Sequence, residues 1–74
     1  MPNIAKLIEK MKNQPHGIRF DEASKVLAYY GYEAIRIKGS HRHFRHGSGD
    51  LITIKYSNPI PKVYIADILE RIGE

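Results

Sequence analysis

The sequence predicts a two-layer α+β sandwich: a three-stranded antiparallel sheet with helices on one face, in the order α-α-β-β-β-α. Three observations carry this reading. Apolar residues recur at i, i+3, i+4 and i+7 near both ends of the chain, the middle alternates apolar and polar residues over three short runs, and glycine-containing turns separate those runs. With one sheet face apolar and helices available to cover it, two layers are the economical arrangement.

Ile4, Leu7, Ile8 and Met11 fall on one face of a first helix, which ends near Asn13 because Gln14-Pro15-His16-Gly17 breaks it. A second helix starts with Asp21 as its N-cap, carries Ala23, Val26, Leu27 and Tyr30 inward, and stops at Gly31. Phe20 packs at its entrance. The strand over 33–38 alternates, with Ile35 and Ile37 on the apolar face and Arg36 and Lys38 on the other. Gly39-Ser40 suits a two-residue type II′ turn. The strand over 41–46 returns with Phe44 inward, and after the looser turn Gly47-Ser48-Gly49-Asp50 a third strand over 51–56 adds Ile52 and Ile54. Ser57-Asn58-Pro59-Ile60-Pro61 is a rigid connector to a last helix marked by Ile65, Ile68, Leu69 and Ile72.

The 74 residues make one domain, 1–74, in which residues 1–14 form an additional N-terminal helix. A domain this small hides only about 60% of the surface its unfolded chain exposes, so its core is thin and deep multi-substrate pockets are not expected. The hydrophobic share of 42% and charged share of 27% are those of a globular protein. There is no cysteine, hence no disulfide or thiolate metal site. The N-terminus lacks the pattern of a signal peptide and no apolar run approaches the ~20 residues of a membrane helix, so the expected location is the cytoplasm, with no membrane partner.

Twelve Lys and Arg against eight Asp and Glu give a formal charge of +4, which favours polyanionic partners. If the alternation persists through both turns, the sheet face away from the helices collects Arg36, Lys38, His41, His43, Arg45, Thr53 and Lys55. A single-sign surface of this kind suits phosphate recognition. It equally suits a solvated face whose charges discourage aggregation.

Residues 41–46, His-Arg-His-Phe-Arg-His, hold three of the four histidines. His41 and His43 share a strand face, but no third ligand is near, so neither a metal nor another cofactor is expected. Cleavage of RNA by its own 2′-hydroxyl asks for less. It needs a proton acceptor, which an imidazole supplies near neutrality, and cations around the phosphate, for which Arg36, Lys38, Arg42 and Arg45 are candidates. A histidine directly after a tight turn is held by backbone, which favours a repeatable geometry. Ser40 beside His41 has no orienting acid, and Gly47-Ser48-Gly49 lacks the helix that follows a phosphate-cradling loop. Tyr29, Tyr30 and Tyr32 suit base stacking, and suit core packing at least as well.

Residues 30–46, from Tyr30-Gly31-Tyr32 to Gly39-Ser40-His41 and Phe44, resemble the HicA family of toxin endoribonucleases. There a helix ends in Gly and an aromatic residue, a basic strand follows, and Gly-Ser-His opens the next strand with an aromatic residue three positions later. The similarity spans about residues 20–73, including the last helix. It implies a fold like a double-stranded-RNA-binding domain, His41 as the catalytic histidine, mRNA as substrate, a HicB-type antitoxin as inhibitor and a part in the stress response. Two departures stand out: the extra N-terminal helix, and a connector over 57–61 without the histidine of the Pro-x-His segment that many members carry there.

The resulting expectation is an mRNA-cleaving endoribonuclease that needs no metal. His41 is its acid or base, and Arg36, Lys38, Gly39, Ser40, Arg42, His43, Arg45 and Lys55 bind the RNA. The alternatives are a non-catalytic RNA-binding module of the same fold, separated by salt-sensitive binding without product, and a pure interaction domain, separated by absence of RNA binding at low salt.

Overall fold

The computed structural model describes residues 3–74. Its elements are α1 (Ile4–Asn13), a 3₁₀ turn (Pro15–Gly17), α2 (Phe20–Tyr29), β1 (Tyr32–Lys38), β2 (His41–His46), β3 (Leu51–Lys55) and α3 (Lys62–Arg71). The strands form one antiparallel sheet in the order β1-β2-β3, so the architecture is the predicted α+β fold. Among the described residues no helix is long and apolar enough to cross a membrane.

The periodic apolar residues build the core. Ile8 and Met11 of α1, Ala23, Val26 and Leu27 of α2, and Ile65 and Ile68 of α3 are buried together against Phe44, Ile52 and Ile54 of the sheet. The first helix is therefore part of the same core, not an appendage to it. Two ion pairs tether it further: Lys10 Nζ to Glu22 at 2.9 Å and Lys12 Nζ to Glu74 at 2.9 Å.

The start of α2 differs from the sequence expectation. Its N-cap is Arg19, and Asp21, expected in that place, lies within the first turn. The orphan amides are met from elsewhere: Asn58 Oδ1 accepts from Phe20 N–H at 2.9 Å, and the Glu22 carboxylate accepts from Arg19 N–H at 3.0 Å. The connector after β3 thus has a structural task, because Asn58 caps a helix 38 residues away. Ile60 in the same segment is buried and donates its N–H to the Ile18 carbonyl at 2.8 Å.

A second difference is in β1. Ile35 and Ile37 were expected inward, yet they are 49% and 63% exposed. Pairing with β2 slips between Ala34 and Arg36, where a bulge inserts an extra residue. The slip resolves a conflict. In an unbroken strand Tyr32, Arg36 and Lys38 would all share one face. With the bulge, Tyr32 packs inward at 5% exposure while Arg36 and Lys38 pair with His43 and His41 on the open face. Ile37 pairs with Arg42 on the helix side and remains exposed on the edge strand.

The Gly39-Ser40 turn is as expected. Gly39 has φ +59°, whereas no described non-glycine residue, Ser40 included, has a positive φ. Ser40 also accepts through its carbonyl from Tyr56 N–H at 2.6 Å, so the turn is tied to the end of β3.

At the opposite end of the sheet, Tyr32 donates its phenol O–H to Asp50 Oδ2 at 2.6 Å, and Arg71 Nη1 donates to Asp50 Oδ1 at 2.7 Å and to the Leu51 carbonyl at 2.6 Å. The Tyr32 hydrogen bond, followed by that of Arg71, holds the Asp50 carboxyl below its ordinary value. Burial works against ionisation of Glu22, but the Lys10 ammonium and the Arg19 N–H outweigh it and lower that pKa as well.

Both carboxyls have folded pKa values below their unfolded ones. The stability they contribute is complete above the unfolded carboxylate range of about 4 and is lost as pH falls through the folded values. Thermal melts should therefore hold a constant Tm from neutrality to about pH 5 and decline below it. Asp50→Asn should flatten that decline. An unchanged acid slope in this variant would refute the contribution of Asp50.

Candidate functional site

β2 is the central strand, and its alternation sorts the functional side chains. Arg42, Phe44 and His46 face the helices, whereas His41, His43 and Arg45 face the opposite, uncovered side. Cross-strand pairing arranges that open face in three rows. His41 stands between Lys38 and Lys55, His43 between Arg36 and Thr53, and Arg45 between Glu33 and Leu51. Directly opposed residues on a sheet have Cβ atoms about 5 Å apart. The two lysines therefore flank His41 closely enough to share one phosphate with it.

Of the predicted site residues, Arg36, Lys38, His41, His43, Arg45 and Lys55 are brought together on this face, with Gly39 and Ser40 forming the turn beside His41. Arg42 does not join them. Its guanidinium carbon lies 4.3 Å from the centroid of the Tyr56 ring and 5.7 Å from that of Phe20, on the helix side, so it packs over aromatic rings.

Lys10, Lys12, Arg19, Lys25 and Arg71 each lie within 4.0 Å of a carboxylate oxygen. No such contact is made by Arg36, Lys38, Arg45 or Lys55 among the described residues. Their field is thus directed to solvent, where it attracts anions. Ile35 and Leu51, 54% exposed, line a shallow depression together with Arg36, Lys38 and His43, which gives the cationic face an apolar margin.

His41 is exposed, and no hydrogen bond restrains its ring among the described residues. His43 is half-buried, with Nδ1 2.9 Å from Thr53 Oγ1. Sequence reasoning put Thr53 on this face without giving it a role, since the contact depends on the register that sets residue 43 opposite 53. The tyrosines lie elsewhere: Tyr32 is buried against Asp50, and Tyr29 meets Tyr30 edge-on at 5.3 Å at the end of α2. No group of three or more His, Asp or Glu among the described residues is placed to hold a metal ion.

Comparison with protein families matches residues 20–74 to the family described as HicA toxin of bacterial toxin-antitoxin systems. The chain belongs to the HicA toxin family. Comparison with curated proteins and with solved structures gave no match. The HicA match begins at Phe20, the first residue of α2, so α1 and the 3₁₀ turn lie outside it although α1 supplies buried side chains to the core. It includes the whole sheet, and with it Gly39-Ser40-His41 and the open cationic face. Membership in a toxin family of toxin-antitoxin systems implies a cognate antitoxin.

Proposed function

We propose that this HicA-family chain is an endoribonuclease that cleaves mRNA in the cytoplasm by histidine acid-base catalysis, with no metal in the reaction. The observation that carries the reading is the placement of His41. It stands directly after the Gly39-Ser40 turn, between two lysines, on a face whose cations lack carboxylate partners among the described residues. The imidazole accepts the proton of the attacking 2′-hydroxyl, and Lys38 and Lys55 meet the charge that grows on the phosphoryl oxygens. Arg36, His43 and Arg45 bind the flanking phosphates, and the backbone of Gly39 and Ser40 lets the strand approach closely.

The test is incubation of single-stranded RNA with purified protein in excess chelator, followed by analysis of the new ends. Products ending in 2′,3′-cyclic phosphate and 5′-hydroxyl are expected. Salt-sensitive binding without product, even at high protein concentration, would select the non-catalytic RNA-binding module instead. That second reading draws on the connector after β3, where Asn58 and Ile60 are engaged in capping and packing and no histidine is present.

The antitoxin of this reading is an acidic, HicB-type protein that covers the open face. Arg36, Lys38, Arg45 and Lys55 steer it, and apolar contacts at Ile35 and Leu51 hold it. Capture should be fast with a salt-sensitive on-rate, because electrostatic complementarity acts mainly on association. In a coexpressed complex, cleavage should be suppressed and His41 protected from imidazole-modifying reagents. A stable complex with full activity and an accessible His41 would refute occlusion.

A further inference from the structure

His43 has a partner that a residue merely binding phosphate does not need. Its Nδ1 is fixed by Thr53 Oγ1 at 2.9 Å, and the other ring nitrogen, Nε2, has no hydrogen-bond partner among the described residues. A threonine hydroxyl both donates and accepts. It therefore keeps the ring oriented through the transfer, accepting from Nδ1–H both while the ring is charged and after Nε2 has given up its proton. A group that must give up and regain a proton at Nε2 without turning over requires this arrangement.

The position of His43 is also suited to transfer. His41 and His43 project from the same face of β2, two residues and so about 7 Å apart along the strand. In an in-line displacement the attacking and leaving oxygens lie on opposite sides of phosphorus, and a proton-transfer group must come within about 3 Å of each. Two imidazoles at this separation straddle one phosphodiester. Arg36 and Thr53 are the cross-strand neighbours of His43, with His41 and Arg45 on its own strand, so the space before Nε2 is cationic and fits an anionic phosphate.

We infer that His43, oriented by Thr53, is the general acid of the reaction, protonating the leaving oxygen while His41 acts as base. This rests on the endoribonuclease reading above. The 2′-oxygen attacks phosphorus as its proton passes to His41. The bond from phosphorus to the 5′-oxygen breaks, its electron pair stays on that oxygen, and the proton on His43 Nε2 is transferred to it. The products are a 2′,3′-cyclic phosphate and a 5′-hydroxyl, and exchange of protons with water restores both rings. Thr53 is a positioning residue, acting through His43.

The deciding experiment compares an ordinary RNA oligonucleotide with one whose scissile 5′-oxygen is replaced by sulfur, a leaving group that departs without protonation. His43→Asn, whose amide still offers Thr53 a partner, should cleave ordinary RNA about a hundredfold or more slower than the unsubstituted protein. On the sulfur-substituted RNA it should recover to within a few-fold. His41→Ala should be slow on both substrates. Thr53→Val should show a smaller loss on ordinary RNA and the same recovery, with circular dichroism and thermal melts confirming that each variant is folded. Equal losses for folded His43→Asn on both substrates would overturn the inference and make His43 a phosphate-binding residue, leaving the nuclease reading intact. An unsubstituted protein inert on both RNAs would overturn the nuclease reading and this inference with it.

Discussion

His41→Ala should lower RNA cleavage by about two to four orders of magnitude, the range expected when a general acid or base is removed, while leaving the fold unchanged. The two halves of this prediction come from different observations. The loss follows from His41 standing between Lys38 and Lys55, with no second imidazole in its row to take the proton of the 2′-hydroxyl in its place. The tolerance follows from exposure: the ring has no hydrogen-bond partner among the described residues, so its removal strands no polar group, and the stability change should stay within about 0.5 kcal/mol. Arg42→Ala is the contrasting control. Its guanidinium is stacked 4.3 Å over Tyr56 on the helix side, so it should cost about 1 kcal/mol of stability and leave RNA affinity unchanged. Initial rates on labelled RNA, beside thermal melts of the same preparations, check both. Folded His41→Ala with undiminished activity would refute the catalytic assignment.

Deleting residues 1–14 should abolish cooperative folding, although the family match begins at residue 20. The deletion removes Ile8 and Met11, which are 8% and 1% exposed, and with them the cover that α1 provides for α2 and α3. Truncating one such methionine to alanine already costs about 2–5 kcal/mol. A single core in a chain of this size supplies only about 3–5 kcal/mol of net stability. Loss of the whole helix also removes the Lys10–Glu22 and Lys12–Glu74 ion pairs and should leave no folded population to measure. Met11→Ala, the milder test, should fold with a markedly lower Tm. A truncated chain that melts cooperatively near the Tm of the full chain would show that α1 is dispensable.

The legibility of the sequence follows the range of the forces involved. Helical faces were legible because Ile4, Leu7, Ile8 and Met11, or Ile65 and Ile68, are set by a local period that packing has no reason to alter. The alternation of β2 was legible for the same reason, and it carried His41, His43 and Arg45 to the open face. The inward assignment of Ile35 failed because alternation presumes an unbroken register, whereas Ile37 keeps the helix-side face and is exposed because it lies on the edge strand. One extra residue in β1 inverts the faces of all that precede it. Likewise the cap of α2 was sought at Asp21, whereas Arg19 is the N-cap and the Phe20 amide is met by Asn58, through a contact no local pattern encodes.

By itself the sequence determined the element order, the α+β class, the turn at Gly39-Ser40 and the family resemblance, because each depends on residue types at short, fixed spacing. Only the tertiary structure decided which basic residues act together. Arg42, alike in composition to Arg36 and Arg45, is withdrawn to the helix side by strand pleat and by two aromatic rings. The partnership of His43 with Thr53 likewise exists only once β3 pairs with β2 in this register. Side chains from separate strands meet through backbone hydrogen bonding across the sheet, and a one-residue slip would part them.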